Sequence, residues 1–111
     1  MSRSPVSLLK GSAPLFAALG DETRLLLVAR LCGDGPMSIT KLTAGSKISR
    51  QAISKHLRVM EEARLVRCRR RGRESLWALK MGRVENARDY LDQISRQWDD
   101  TLGRLQAFVE D

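Results

Sequence analysis

The sequence has 111 residues, 42% of them hydrophobic, which suits one domain over residues 1–111, small enough that dimerisation would add useful burial. Its formal net charge of +7 is unevenly spread: residues 47–73 hold ten Lys or Arg against two acids, and the remainder is slightly acidic, so a polyanionic partner is implied for one structural unit. Two cysteines 36 positions apart, without a CxxC spacing or a Cys/His pairing, point to reduced thiols rather than a disulfide or zinc framework, and one histidine, no glycine-rich phosphate loop and no nucleophile set with a base argue against an enzyme.

Near the N-terminus only Val6, Leu8 and Leu9 precede Lys10 and Gly11, too few for a signal-peptide core or a membrane span, so a cytoplasmic protein is expected. Pro14 suits a first helical residue, and Leu15, Phe16 and Leu19 predict a short helix stopped by Gly20. Asp21 can cap a second helix over residues 22–32, with Leu25, Leu26, Val28, Ala29 and Leu31 on a broad apolar face, and Gly33-Asp34-Gly35-Pro36 breaks it. Ser38 can cap a short third helix carrying Ile39 and Leu42 and ending near Gly45.

Ser49 is the next cap, opening a helix over about residues 49–62. Ala52, Ile53, Leu57 and Met60 form its inward stripe, with Arg50, Gln51, Ser54, Lys55 and Arg58 on the other side. Val66-Arg67-Cys68-Arg69 then alternates as a strand, Arg71-Gly72 marks a turn, and Glu74-Ser75-Leu76-Trp77-Ala78-Leu79 returns, predicting a two-stranded wing over residues 66–79. In a last helix over residues 83–110, Val84, Ala87, Leu91, Ile94, Trp98, Thr101, Leu105 and Phe108 step alternately by three and four. At 1.5 Å per residue this helix is about 40 Å long, more than a small core can cover. A dimer seam is therefore expected, built from Val84, Ala87, Leu91, Ile94, Trp98, Leu102 and Leu105 and shared with Leu15 and Phe16 of the opening helix.

Three stretches carry a resemblance: Ala18-Leu19-Gly20-Asp21-Glu22-Thr23-Arg24-Leu25, the run from Ile48-Ser49 through Ser54-Lys55-His56-Leu57, and Glu62-Ala63-Arg64-Leu65-Val66. They are similar to the LGDxTR opening, the S-Q-x-x-[VI]-S-K-H-L recognition helix and the EAGLV segment of the ArsR/SmtB family of bacterial winged-helix repressors. The tail, with Tyr90-Leu91, Trp98-Asp99 and Leu102-Leu105, resembles the SdpR-like branch, whose members are not generally metal sensors. The resemblance implies a mainly α fold with a two-stranded β wing, a winged helix-turn-helix dimeric through its terminal helices, with residues 49–62 in the major groove of DNA and residues 67–77 along its backbone. Arg64 departs from the family's usual Gly. In a left-handed helix-ending conformation Arg is more strained than Gly by roughly 1 kcal/mol.

Roles follow from donor chemistry. Arg50 and Gln51, beside the Ser49 cap, sit where side chains reach base edges, Arg suiting guanine and Gln adenine. One turn on, Ser54 and Lys55 suit base or phosphate and Arg58 phosphate, with His56 at a DNA contact or in helix packing. Arg69, Arg70, Arg71 and Arg73 surround the wing turn and suit phosphates or a minor groove. The family's metal-binding members use cysteines in the third helix or His and carboxylates in the last. Here Ser38-Ile39-Thr40-Lys41-Leu42 has no cysteine and the last helix no histidine, so no metal or cofactor is expected. Cys32, ending the second helix, and Cys68, at an apolar-type strand position, are expected to be buried, inert thiols. The expected function is a homodimeric, metal-independent transcriptional repressor on an inverted-repeat operator. The alternatives are a winged-helix module for RNA or an acidic protein, and a repressor controlled through its cysteines.

Overall fold

The computed structural model describes residues 5–110; residues 1–4 and 111, which the sequence reading places in the same unit, lie outside the described residues. The elements are α1 (Pro5–Leu19), α2 (Glu22–Asp34), β1 (Met37–Ser38), α3 (Ile39–Thr43), α4 (Arg50–Glu62), β2 (Val66–Arg71), β3 (Glu74–Leu79) and α5 (Met81–Glu110). This is a mainly helical winged helix-turn-helix with a small antiparallel sheet.

Side-chain caps set the helix starts. Asp21 accepts from the Arg24 N–H at 3.0 Å, Ser38 from Lys41 at 3.2 Å and Ser49 from Ala52 at 3.1 Å, each satisfying a backbone donor that the first turn leaves free. At the end of α4, the Arg64 N–H bonds the Glu61 carbonyl and the Leu65 N–H bonds the Met60 carbonyl, both at 2.9 Å, the paired bonds of a Schellman turn. Arg64 takes the left-handed conformation this turn needs, at φ 61, and no other described non-glycine residue has positive φ.

The core joins α1, α2, α3, α4 and the base of the wing through Leu15, Leu27, Leu31, Met37, Leu42, Ile53, Leu57, Met60, Leu65 and Val66. Ile53, Leu57 and Met60 supply the inward stripe of α4, as its periodicity predicts. Each such side chain contributes roughly 1.5–3 kcal/mol by burial.

Several expectations are corrected. The first helix does not begin at Pro14 but runs through it from Pro5, because burial of Leu15 and Ala18 outweighs the one backbone donor that proline removes. In α2 the buried stripe is Leu27 and Leu31, with Val28 half-buried against the core, whereas Leu25 and Leu26 are more than half exposed. The wing gains a third, two-residue strand: Met37 pairs with Trp77 and Ser38 with Leu76, giving the sheet order β1-β3-β2 and anchoring β3 to the helical body. Leu15, expected at a dimer seam, is 0% exposed within the protomer and belongs to its core.

Helix α5 extends beyond that core. Its 30 residues span about 45 Å, and the radius of gyration, 18.2 Å, exceeds the roughly 13 Å of a compact chain this long. No described residue of α5 is buried. Among the described residues no helix is long and apolar enough to cross a membrane.

Arg64→Gly should raise the unfolding free energy by about 1 kcal/mol, because glycine adopts the left-handed conformation without steric cost. Arg64→Ala keeps the strained backbone and serves as control; chemical denaturation that leaves the Gly variant no more stable than the Ala variant refutes the assignment of strain.

Candidate nucleic-acid interface

The amphipathic pattern of α4 decides which side chains face outward. With Ile53, Leu57 and Met60 turned into the core, Arg50, Gln51, Lys55 and Arg58 are exposed and Ser54 is half-buried. Ser49, Arg50, Gln51 and Ser54 line, with Ile39 of α3, a shallow depression of about 420 Å³ at the helix start, where a helix laid in a major groove brings side chains to base edges. The Ser49 oxygen already serves as the helix cap, so this residue reaches a ligand through its hydroxyl hydrogen or backbone.

The wing projects from the base of α4. Val66 is buried at its root, whereas Arg67, Cys68, Arg69, Arg70 and Arg71 are exposed along β2. Arg71 still pairs with Glu74, so the turn is Gly72-Arg73, one residue later than the sequence predicts. Gly72, at φ 64, occupies the first loop position, where a type II′ hairpin demands positive φ. The arginines at 69, 70, 71 and 73 thus surround a tight tip, and among the described residues their only guanidinium hydrogen bond is Arg70 Nε to the Gly72 carbonyl at 3.4 Å. Their charge is therefore largely left to solvent.

His56 is placed differently from the other sequence-predicted site residues. It turns from the outer face toward the first turn of α2, where its Nδ1 lies 3.2 Å from a terminal nitrogen of Arg24 and 3.8 Å from the Asp21 carboxylate. The Arg24 Nε donates to the Ala18 carbonyl at the end of α1. The Arg24 backbone N–H, donating into the carboxylate, holds the Asp21 pKa below its ordinary value of 3.8; partial burial opposes this, and the Arg24 and His56 charges reinforce it. Asp21 was legible as a cap, but nothing in sequence spacing reveals that it meets a residue 35 positions later.

Sequence reasoning also missed two structural arginines. Arg30 donates to the Leu42 and Lys41 carbonyls at 2.7 and 3.1 Å, closing the end of α3, and Arg83 of α5 donates to the Ala63 and Gly11 carbonyls. Both thiols depart from expectation: Cys32 and Cys68 are free and exposed. Cys68 shares a sheet face with Val66 and stands opposite Trp77, but it lies beyond the edge of the core.

The expected seam divides. Val84 and Ala87 pack against the protomer's own core, and Phe16 tilts against Tyr90 of α5 with ring centroids 5.5 Å apart. Leu91, Ile94, Trp98, Leu102 and Leu105 are exposed, Trp98 at 60%, and Phe108 is 82% exposed. Among the described residues no group of three or more His, Cys, Asp or Glu is placed to hold a metal ion.

Comparison with known proteins agrees with this geometry. A helix-turn-helix domain model matches residues 19–69, the span from the end of α1 into β2. The transcriptional repressor SmtB homolog of a Synechocystis species is 36% identical over 74 residues, 67% of this chain and 55% of that protein. Among solved structures, an ArsR-like transcriptional regulator from Rhodococcus sp. RHA1 superposes with a TM-score of 0.81 at 30% identity, covering 92% of this chain and 95% of that one. The homodimeric winged helix-turn-helix DNA-binding domain of Mb0332 from Mycobacterium bovis shares the fold at 21% identity, with a TM-score of 0.64 over 87% of this chain and 88% of that one. Sequence and architecture agree along nearly the whole chain, and the protein belongs to the ArsR/SmtB family of winged helix-turn-helix transcriptional regulators.

Proposed function

We propose that the protein is a homodimeric, metal-independent repressor that reads an inverted-repeat operator with α4 and grips its backbone with the β2–β3 wing. The observation that carries this reading is the division of α4: a buried apolar stripe behind, and Arg50, Gln51, Lys55 and Arg58 exposed in front beside four wing-tip arginines. Arg50 and Gln51 read base edges, Ser54 and Lys55 contact base or phosphate, and Arg58 with Arg69, Arg70, Arg71 and Arg73 binds phosphate. Two copies of α4 about 34 Å apart would enter successive major grooves on one face of the duplex, and a dimer seated there would block a promoter sterically.

The dimer is supported by the uncovered stripe of α5. From Leu91 to Phe108 it leaves some 25 Å of apolar helix surface in solvent, more than a stable monomer ordinarily tolerates. The homodimeric state of the Mycobacterium bovis domain, which has the same fold, points the same way. Metal independence is supported by residue content: α3 has no cysteine and α5 no histidine. A second reading, control through thiol oxidation, has one observation in its favour, the exposure of both Cys32 and Cys68.

Selection from a random duplex library at about 150 mM salt should recover an inverted repeat bound roughly 10³-fold more tightly than scrambled duplex, with or without EDTA. Equal, weak binding to all duplexes would overturn the repressor reading in favour of an RNA or acidic-protein partner. Repeating the assay with diamide-treated protein tests thiol control.

Replacing Gln51 and Ser54 by Ala should relax sequence preference more than it lowers general affinity. Arg70→Ala with Arg71→Ala should weaken all sequences alike and reduce the slope of log affinity against log salt by about two per protomer. Identical behaviour of the two pairs would refute the division into readers and grippers.

Leu91→Glu with Trp98→Glu should yield a monomer by analytical ultracentrifugation and abolish operator binding. A double variant that still sediments as a dimer would place the seam elsewhere.

A further inference from the structure

The Asp21, Arg24 and His56 cluster joins three elements, and which of its atoms donate depends on where the His56 ring carries its proton. A guanidinium has donors and no acceptor. The 3.2 Å contact between Arg24 and His56 Nδ1 is therefore a hydrogen bond only when Nδ1 is unprotonated and accepts, which places the ring proton on Nε2 and leaves the imidazole neutral. Through the same guanidinium Arg24 also holds the Ala18 carbonyl of α1, with the Ala17 carbonyl at 3.4 Å, while its backbone N–H is bound to Asp21. The middle of α4 is thus tied to the corner where α1 turns into α2.

Resting on the reading of α4 as the DNA-reading helix, we propose that His56 is a positioning residue, not a DNA contact: its neutral ring docks α4 on Arg24, and protonation releases that dock and lowers operator affinity. Protonated Nδ1 becomes a donor facing a donor, and a cation facing a cation. Among the described residues, the charged groups placed against the ring are Asp21 and Arg24 of α2. The α1 groups at this corner are backbone carbonyls. On α4 itself the positions one turn away are Ala52, Ile53, Val59 and Met60, all uncharged. Asp21 stands at 3.8 Å as the alternative partner of a protonated ring. Its pKa is already lowered by the Arg24 N–H, so it stays ionised across the range in which an imidazole changes charge. Protonation therefore exchanges a bond to Arg24 for an attraction to Asp21 and shifts the ring along α2.

The sign of the pH effect separates positioning from contact. A histidine touching phosphate gains affinity as it protonates, since it adds a cation to the interface. A histidine that must be neutral for α4 to dock loses affinity instead, because only the docked fraction is competent, and in a dimer both recognition helices must dock. His56 is the only histidine in the sequence, which makes the profile assignable.

The experiment measures affinity for the selected duplex and for scrambled duplex from pH 7.5 to 5.5 at constant ionic strength. The wild type should lose about tenfold or more in preference for the selected duplex over this range. His56→Asn, whose amide oxygen can accept from Arg24 and does not titrate, should keep near-wild-type affinity at pH 7.5 and show a flat profile. His56→Phe should be flat and weak throughout. If the Phe variant fails to fold, the wild-type and Asn profiles still decide. A wild-type preference that stays constant or rises as pH falls overturns the positioning role while leaving the DNA-binding reading intact. Failure to prefer any duplex at any pH overturns both.

Discussion

The structure depends on one constraint: α4 must bury one face completely while keeping the opposite face polar. Ile53, Leu57 and Met60 are essentially inaccessible, packed with Leu27 and Leu31 of α2, Leu42 of α3 and Leu65 and Val66 behind the wing. Truncating any of them to Ala would cost roughly 2–5 kcal/mol, a large fraction of the stability of a small domain. Because the same three residues fix the rotation of α4 about its axis, they also determine that Arg50, Gln51, Lys55 and Arg58 point outward. Packing and recognition are two faces of one period of 3.6 residues.

Arginine is used in two separate ways. Arg24, Arg30 and Arg83 turn their guanidiniums onto main-chain carbonyls at helix ends, where unpaired acceptors and the negative end of the helix dipole favour a cation. They act as structural clips between elements. The exposed arginines of α4 and β2 make few internal bonds, so their donors and charge stay available. A count of basic residues cannot distinguish these uses. Their location can: the clips all lie outside residues 47–73, the stretch in which the net positive charge is concentrated.

Most elements were legible in the sequence because each has a local physical signature. Ser38 and Ser49 mark helix starts by offering an oxygen to the first turn, the 3.6-residue stripe of α4 shows which face is buried, and the two strands of the wing alternate around a glycine. What the sequence hid is long-range. The α1 helix crosses Pro14, which reads locally as a helix start, because tertiary burial of Leu15 outweighs the backbone donor that proline removes. Strand β1 is two residues long and exists only because β3 pairs with it. Leu25 and Leu26 look like core by composition, yet the neighbours of α2 cover its Leu27, Val28 and Leu31 side instead. Cys68 occupies an inward register position, but the sheet outruns the core there. The outward residues of α4 could be assigned from periodicity alone; His56 could not, since its orientation depends on a partner 32 residues away.

The two ties on α4 have a joint mechanical consequence. At its middle, His56 reaches the α1–α2 corner through Arg24; at its C-terminal end, the Ala63 carbonyl is held by Arg83 of α5, which also holds the Gly11 carbonyl of α1. Helix α1 is therefore tied to α5 through Arg83, which also holds the end of α4, and to the middle of α4 through Arg24. With Phe16 set against Tyr90, the three helices form one body. In the proposed dimer the separation of the two recognition helices is set by how the α5 helices meet, and any slack between α4 and α5 would blur that separation. An operator with a fixed half-site spacing rewards rigidity there and penalises its loss. On the role proposed for His56, a change of one proton there alters the docking of α4, and with it which duplexes are bound as well as how tightly.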